Sequence, residues 1–118
     1  MSEFVVKDSG KRVDFPSGMR RDVDEDKPIY TLIDRAFLKR IALHLAKGAK
    51  KYGRNNWQLA NSAEELQRFE DSAFRHLIQW LDGEEDEDHV AAIVFNLMCA
   101  EYVKRKMRRE RTTNVNHG

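Results

Sequence analysis

The stretch Val90-Ala91-Ala92-Ile93-Val94-Phe95-Asn96-Leu97-Met98-Cys99-Ala100 is the longest apolar run of the chain, and Asn96 is its one polar side chain. It is far shorter than the roughly 20 residues that cross a bilayer. A helix that is apolar on nearly every side belongs at the centre of a bundle or inside an oligomer. The acids Glu84-Glu85-Asp86-Glu87-Asp88 precede the run, and Lys104-Arg105-Lys106-Met107-Arg108-Arg109 follow it. Acids oppose the positive end of a helix dipole and bases the negative end, so a helix is predicted from about Asp86 through Lys106.

Upstream, Ser62-Ala63-Glu64-Glu65 reads as a capping box, in which hydroxyl and carboxylate each satisfy a free backbone N–H. A second helix is predicted from there to about Asp82, with Leu66, Phe69, Ala73, Leu77 and Trp80 or Leu81 inward and Gly83 as its stop. Further back, Leu32, Ile33, Phe37, Ile41 and Leu45 recur at three- to four-residue steps, which predicts an amphipathic helix ending near Gly48 or Gly53. No segment shows clear period-2 alternation. The fold expected is all-α: three main helices in a small bundle (31–106), an extended N-terminal arm (1–30) and a basic, polar tail (107–118).

The arm holds both prolines, Pro16 and Pro28, with alternating charges and few large apolar groups. It cannot build a core alone and is expected to lie loose or across a neighbour. The chain has 118 residues, 41% hydrophobic and 35% charged. That is one core's worth of chain with more charge than the roughly 25% of an average domain, so a wide wet surface or a homo-oligomer is expected. The net charge of +1 gives no general attraction to polyanions. A nucleic-acid partner through residues 104–111 is therefore a minor reading. Met1 to Asp8 lacks the basic and apolar regions of a signal peptide, and the single Cys99 can form no internal disulfide. A cytoplasmic protein without a membrane partner is expected.

Four groups of residues can carry chemistry. Asn96 lies seven residues from His89 on one helix face, with small Ala92 between them; the two either bond to backbone and each other or see a ligand. Arg68, Ser72, Arg75, His76 and Gln79 share a second face, a phosphate cradle or a solvated surface. Glu84 and Asp88, four apart at a helix entrance, can hold Mg²⁺ with water and phosphate oxygens, or serve only as a cap. His76 and His89 with acids of the run Glu84 to Asp88 can instead hold a transition metal. Finally, Lys50, Lys51, Tyr52, Arg54, Asn56 and Trp57 combine charge, an amide and two aromatic rings, which suits a nucleobase with its phosphates or a roof over the core. Nothing in the chain reads as an activated nucleophile.

These residues also carry a resemblance. Phe15-Pro16-Ser17-Gly18-Met19-Arg20-Arg21-Asp22, Lys27-Pro28 through Ile33, Lys47 through Gly53, Asn56-Trp57, Arg75-His76 through Trp80, Gly83-Glu84 through His89, and Asn96 resemble the phage-encoded dATP/dGTP diphosphohydrolase domain family. The likeness spans about Lys7 to Val103. It implies cleavage of purine deoxynucleoside triphosphates to monophosphate and pyrophosphate, alongside the MazG-type all-α pyrophosphohydrolases, which are helical oligomers using Mg²⁺ or Mn²⁺. On that likeness, Arg75, His76, Glu84 and Asp88 are the expected catalytic residues. Arg21, Lys50, Tyr52, Arg54, Asn56, Trp57, Arg68 and Asn96 are expected to bind the purine nucleotide, and Glu84, Asp88 and His89 the metal. Loss of the Asp88 charge is expected to abolish turnover. The Glu-x-x-Glu and Glu-x-x-Asp pairs of MazG-type enzymes are replaced here by Ser72-x-x-Arg75-His76 and by Asp88-His89 followed by Ala92. That departure keeps a second expectation open: a non-catalytic protein that sequesters a nucleotide messenger.

Overall fold

A computed structural model describes residues 4–23 and 26–117, of which residues 113–117 are described as backbone only. The chain falls into two compact units, Met1–Leu32 and Ile33–Gly118.

The first unit carries a small antiparallel hairpin, β1 (Arg12–Asp14) and β2 (Arg20–Asp22), where the sequence pattern predicted only an extended arm. Three-residue strands are too short to display alternation, and the pairing is made by charge and by the turn. Asp14 faces Arg20 across the ladder and binds its Nε at 2.7 Å, and Arg12 faces Asp22. The turn closes through Phe15 N–H to Met19 O and Gly18 N–H to Phe15 O, with Gly18 at φ 93°. That conformation suits glycine, so Pro16-Ser17-Gly18 was the legible signal. A 3-10 turn, Tyr30–Leu32, ends the unit.

The second unit is three helices: α1 (Arg35–Tyr52), α2 (Ala63–Leu81) and α3 (His89–His117). α1 starts later than the apolar stripe predicted, because Asp34 caps it by accepting from Ala36 N–H. It passes through Gly48 and stops at Gly53, whose φ is 96° and whose N–H reaches Ala49 O. α2 begins with the predicted capping box. Ser62 Oγ accepts from Glu65 N–H at 3.2 Å, while Glu65 Oε1 accepts from the Ser62 hydroxyl and from Asn61 N–H. It ends in a Schellman motif, with Gly83 N–H on Trp80 O, Glu84 N–H on Gln79 O, and Gly83 at φ 79°.

α3 is the central helix; it packs along α2 and against α1. Its buried apolar residues, Ala91, Ala92, Cys99, Ala100 and Val103, are mostly small, which lets neighbouring helices come close. It begins three residues later than predicted, since Asp88 stays outside as its cap: Asp88 O accepts from Ala92 N–H and Oδ1 from Ala91 N–H. It also runs on past Lys106 to His117. Nothing between these points breaks a helix, and Lys, Arg, Met and Glu all favour one. Lys106 ties α3 to the 3-10 turn Asn56–Leu59 by donating Nζ to Gln58 O and Ala60 O.

The predicted inward stripe of α2 holds for Leu66, Phe69 and Ala73 but not for Leu77, Trp80 or Leu81. Ser72, His76 and Gln79 are partly covered, as Leu66 and Phe69 are, whereas Phe74, Leu77, Ile78, Trp80 and Leu81 are exposed. Burial of small and polar residues against α3 leaves the outer apolar face of α2 in the open. None of the described helices is long and apolar enough to cross a membrane.

Candidate functional site

A cavity of about 670 Å³ opens beside the C-terminal half of α1, within the range usual for small-molecule sites. Every wall belongs to the helical unit. One wall is cationic, from Lys47, Lys50, Lys51 and Arg54; Asp86, Glu87 and Asp88 supply the acidic part of the lining. These groups converge because α1 stops at Gly53 while the acidic turn joins α2 to α3.

The aromatic residues divide in role. Trp57 meets Tyr102 edge-on at 5.0 Å and Phe95 at 6.5 Å between ring centroids, and is half-buried. It therefore roofs the core as well as lining the cavity. Tyr52 is 67% exposed at the rim, with Lys51 Nζ 6.0 Å from its ring centre. Among the lining residues, Tyr52 is the free aromatic face. His44 meets Phe95 at 5.2 Å between ring centres, tilted by 54°, and lines the cavity too.

Asp88 is engaged twice. Besides capping α3, it forms a two-pronged pair with Arg40, Nη2 to Oδ1 at 2.6 Å and Nε to Oδ2 at 3.0 Å. The Arg40 guanidinium and the Ala91 N–H hold its carboxyl down at about 2. Both oxygens are thus committed, and Arg40 is fixed at the cavity wall.

A second cluster adjoins this turn. His76 Nδ1 on α2 lies 2.9 Å from His89 Nδ1 on α3, and His89 Nε2 lies 2.8 Å from Asp86 Oδ1. His89 is 2% exposed. Glu87 joins the two imidazoles, with ligand atoms of all three residues within 4.8 Å of one another. Burial depresses the His76 pKa, with the Glu87 charge opposing and the His89 and Arg75 charges adding to the fall.

The structure therefore regroups the predicted residues. Lys50, Tyr52, Arg54, Asn56, Trp57 and Asp88 share the cavity lining, and His76 and His89 meet in the second cluster. Glu84 belongs to neither group; its backbone N–H serves the stop of α2. Arg68 and Arg75 are exposed on α2 outside the lining, Arg75 turning back to Ser72 Oγ at 3.3 Å. Asn96 is buried, donates Nδ2–H to Ala92 O at 2.8 Å, and lines neither site. Of the two readings of Asn96 and His89, the backbone one holds for Asn96, while His89 meets His76 and Asp86 instead. Arg21 sits on β2 in the other unit. Cys99 is fully buried and its thiol is pushed up to about 12, so it is no nucleophile.

Arg40 and His44 were not singled out by sequence reasoning, and Lys47, Asp86 and Glu87 entered it only as members of longer stretches. The α1 residues were legible in principle: 40, 44, 47 and 51 repeat at three- to four-residue steps, a polar stripe beside the apolar one. Asp86 and Glu87 were hidden inside the acidic run, where spacing cannot say which carboxylate turns inward.

No curated protein and no solved structure matches this chain. A family model does: dATP/dGTP diphosphohydrolase, N-terminal, over residues 17–112. That match takes in the second hairpin strand, the whole cavity lining and the histidine cluster. The chain belongs to the dATP/dGTP diphosphohydrolase N-terminal domain family.

Proposed function

We propose that the cavity binds a purine deoxynucleoside triphosphate and that the protein hydrolyses it to the monophosphate and pyrophosphate. One observation carries this reading: a nucleotide-sized cavity whose lining joins five Lys and Arg side chains to the acidic turn, in a chain of the diphosphohydrolase family. Lys50 and Arg54 neutralise phosphate oxygens, Tyr52 lies against the base, and Asn56 reads a base edge. Asp88 acts as a positioning residue that holds Arg40 towards the phosphates. Water attacks in line at phosphorus, the bridging P–O bond breaks, pyrophosphate departs, and the water proton passes to solvent.

A divalent metal, Mg²⁺ or Mn²⁺ by resemblance, belongs to this reading. When bound, such an ion neutralises phosphate charge and lowers the pKa of an attacking water. Asp88 fits it poorly, since both oxygens are engaged; His76, Glu87 and His89 bring one ligand atom each to within 4.8 Å of one another. A phage nucleotide-pool role in the host cytoplasm also follows from the resemblance. Assembly into a homo-oligomer is supported by the exposed apolar face of α2, where Phe74 and Leu81 remain 66% and 64% exposed.

One observation favours a second reading. The carboxylates among the lining residues come from one turn, Asp86 to Asp88, not from two facing helices. A protein that holds a nucleotide messenger intact needs only that much. Incubation with deoxynucleotides, ribonucleotides and cyclic dinucleotides, with and without Mn²⁺, separates the two. Monophosphate with pyrophosphate supports the enzyme; ligand depleted from solution and recovered whole after denaturation supports sequestration.

A further inference from the structure

The histidine pair carries more than a packing role. A carboxylate only accepts hydrogen bonds, so the 2.8 Å contact to Asp86 puts a proton on His89 Nε2. In neutral His89 the other nitrogen, Nδ1, is then a bare lone pair, and it faces His76 Nδ1 at 2.9 Å. Two readings fit that distance: an N–H···N bond between the rings, or two ligands side by side on one ion. With metal–nitrogen bonds of about 2.1 Å, neighbouring octahedral ligands lie about 3.0 Å apart and tetrahedral ones about 3.4 Å. Two further features favour the ion. Glu87 adds an anionic oxygen to the same group, which an imidazole pair alone does not need. Asp86 stands where metal-binding histidines keep their outer carboxylate, on the nitrogen away from the metal.

We infer that His76, Glu87 and His89 form a binding site for a divalent transition-metal ion, with Asp86 positioning His89 from outside. Two imidazoles and one carboxylate suit Zn²⁺, Co²⁺, Ni²⁺ or Mn²⁺, whereas Mg²⁺ and Ca²⁺ favour all-oxygen sets. Three protein ligands leave coordination positions open, and Glu87 also lines the nucleotide cavity. The site thus lies where an ion and a phosphate can share a carboxylate's surroundings. This deepens the hydrolase reading and rests on it only for what the ion does there; binding of the ion itself is measured without nucleotide.

The test is a Co²⁺ titration of the untagged, chelator-treated full chain, followed by visible absorption and repeated with Zn²⁺ by calorimetry. One ion per chain is expected, with millimolar Mg²⁺ failing to displace it. Glu87→Gln, at an exposed position, should weaken Co²⁺ binding at least tenfold, and His76→Gln likewise. Asp86→Asn should weaken it roughly 10- to 100-fold while keeping one ion per chain. Since His76 is part-buried, circular dichroism checks that its variant folds, and Glu87→Gln decides the matter if it does not. Absence of a Co²⁺ band, or an affinity unchanged by Glu87→Gln, would overturn the site. Mg²⁺-driven nucleotide hydrolysis without Co²⁺ binding would overturn the site alone; Co²⁺ binding without nucleotide turnover or capture would overturn the nucleotide reading alone.

Discussion

Asp88 and Arg40, 48 residues apart in sequence, join the start of α3 to the middle of α1 through two hydrogen bonds of 2.6 and 3.0 Å. Both residues line the cavity, so the pair ties its α1 side to the acidic turn. The same carboxylate caps α3, so one side chain serves helix, bundle and site.

Asp88→Ala should therefore cost about 1–2 kcal/mol, mostly for the lost cap. The ion pair itself adds little, because the side chains remain 48% and 33% exposed. Asp88→Asn keeps a capping oxygen but loses the hold on Arg40. It should leave urea unfolding within about 1 kcal/mol of the parent while weakening nucleotide binding. Equal nucleotide affinity in the two variants and the parent would remove Arg40 from the site.

Trp57 and Tyr52 should separate on substitution. Trp57→Ala empties the contacts with Phe95 and Tyr102 and should lower stability by roughly 2–4 kcal/mol, near the low end for a part-buried aromatic ring. Tyr52→Ala, at an exposed rim position, should change stability by less than about 0.5 kcal/mol and weaken nucleotide binding severalfold. Thermal melts beside binding titrations make the comparison.

Much of this was legible in the sequence, and the reason differs from element to element. The capping box at Ser62 and the stop at Gly83 are local chemistry, visible in a few consecutive residues. The apolar run around Asn96 marked α3 as central because no helix so apolar can face water. The orientation of α2 was legible only in its first half, where Leu66, Phe69 and Ala73 turn inward as expected. Beyond Ala73, the apolar residues Phe74, Leu77, Ile78, Trp80 and Leu81 are exposed, while polar His76 and Gln79 are partly covered. Periodicity locates an apolar face but not which partner covers it. The commitment of Asp88 to Arg40 and the meeting of His76 with His89 are long-range events that spacing along one helix cannot reveal.

Acid should destabilise the fold before the carboxylates titrate. Burial sets the His76 pKa below its ordinary 6.5, so on acidification the unfolded chain takes up that proton first. The stabilisation is full above about pH 6.5 and is lost as the pH falls through the folded value. Asp88 acts in the same sense lower down, its contribution present above 3.8 and lost towards about 2. Urea midpoints should fall from pH 7.5 to pH 5, and His76→Gln should flatten that slope; an unchanged slope would show that His76 titrates normally.

The outer face of α2 gives an independent check on assembly. Phe74, Ile78 and Leu81 recur along one side and are all exposed. Phe74→Glu or Leu81→Glu should shift the mass measured by light scattering to that of a monomer. A parent protein that is already monomeric at micromolar concentration would contradict the oligomer.

The most direct measurement of all is the fate of dGTP and dATP with Mn²⁺, resolved by chromatography for the parent and for a Lys50→Glu, Tyr52→Ala double variant of unchanged melting temperature. The expected result is monophosphate and pyrophosphate in equal amounts from the parent, with kcat/KM lowered at least tenfold in the variant. Nucleotide recovered intact from the parent, or equal rates in the two proteins, would contradict a hydrolytic site in this cavity.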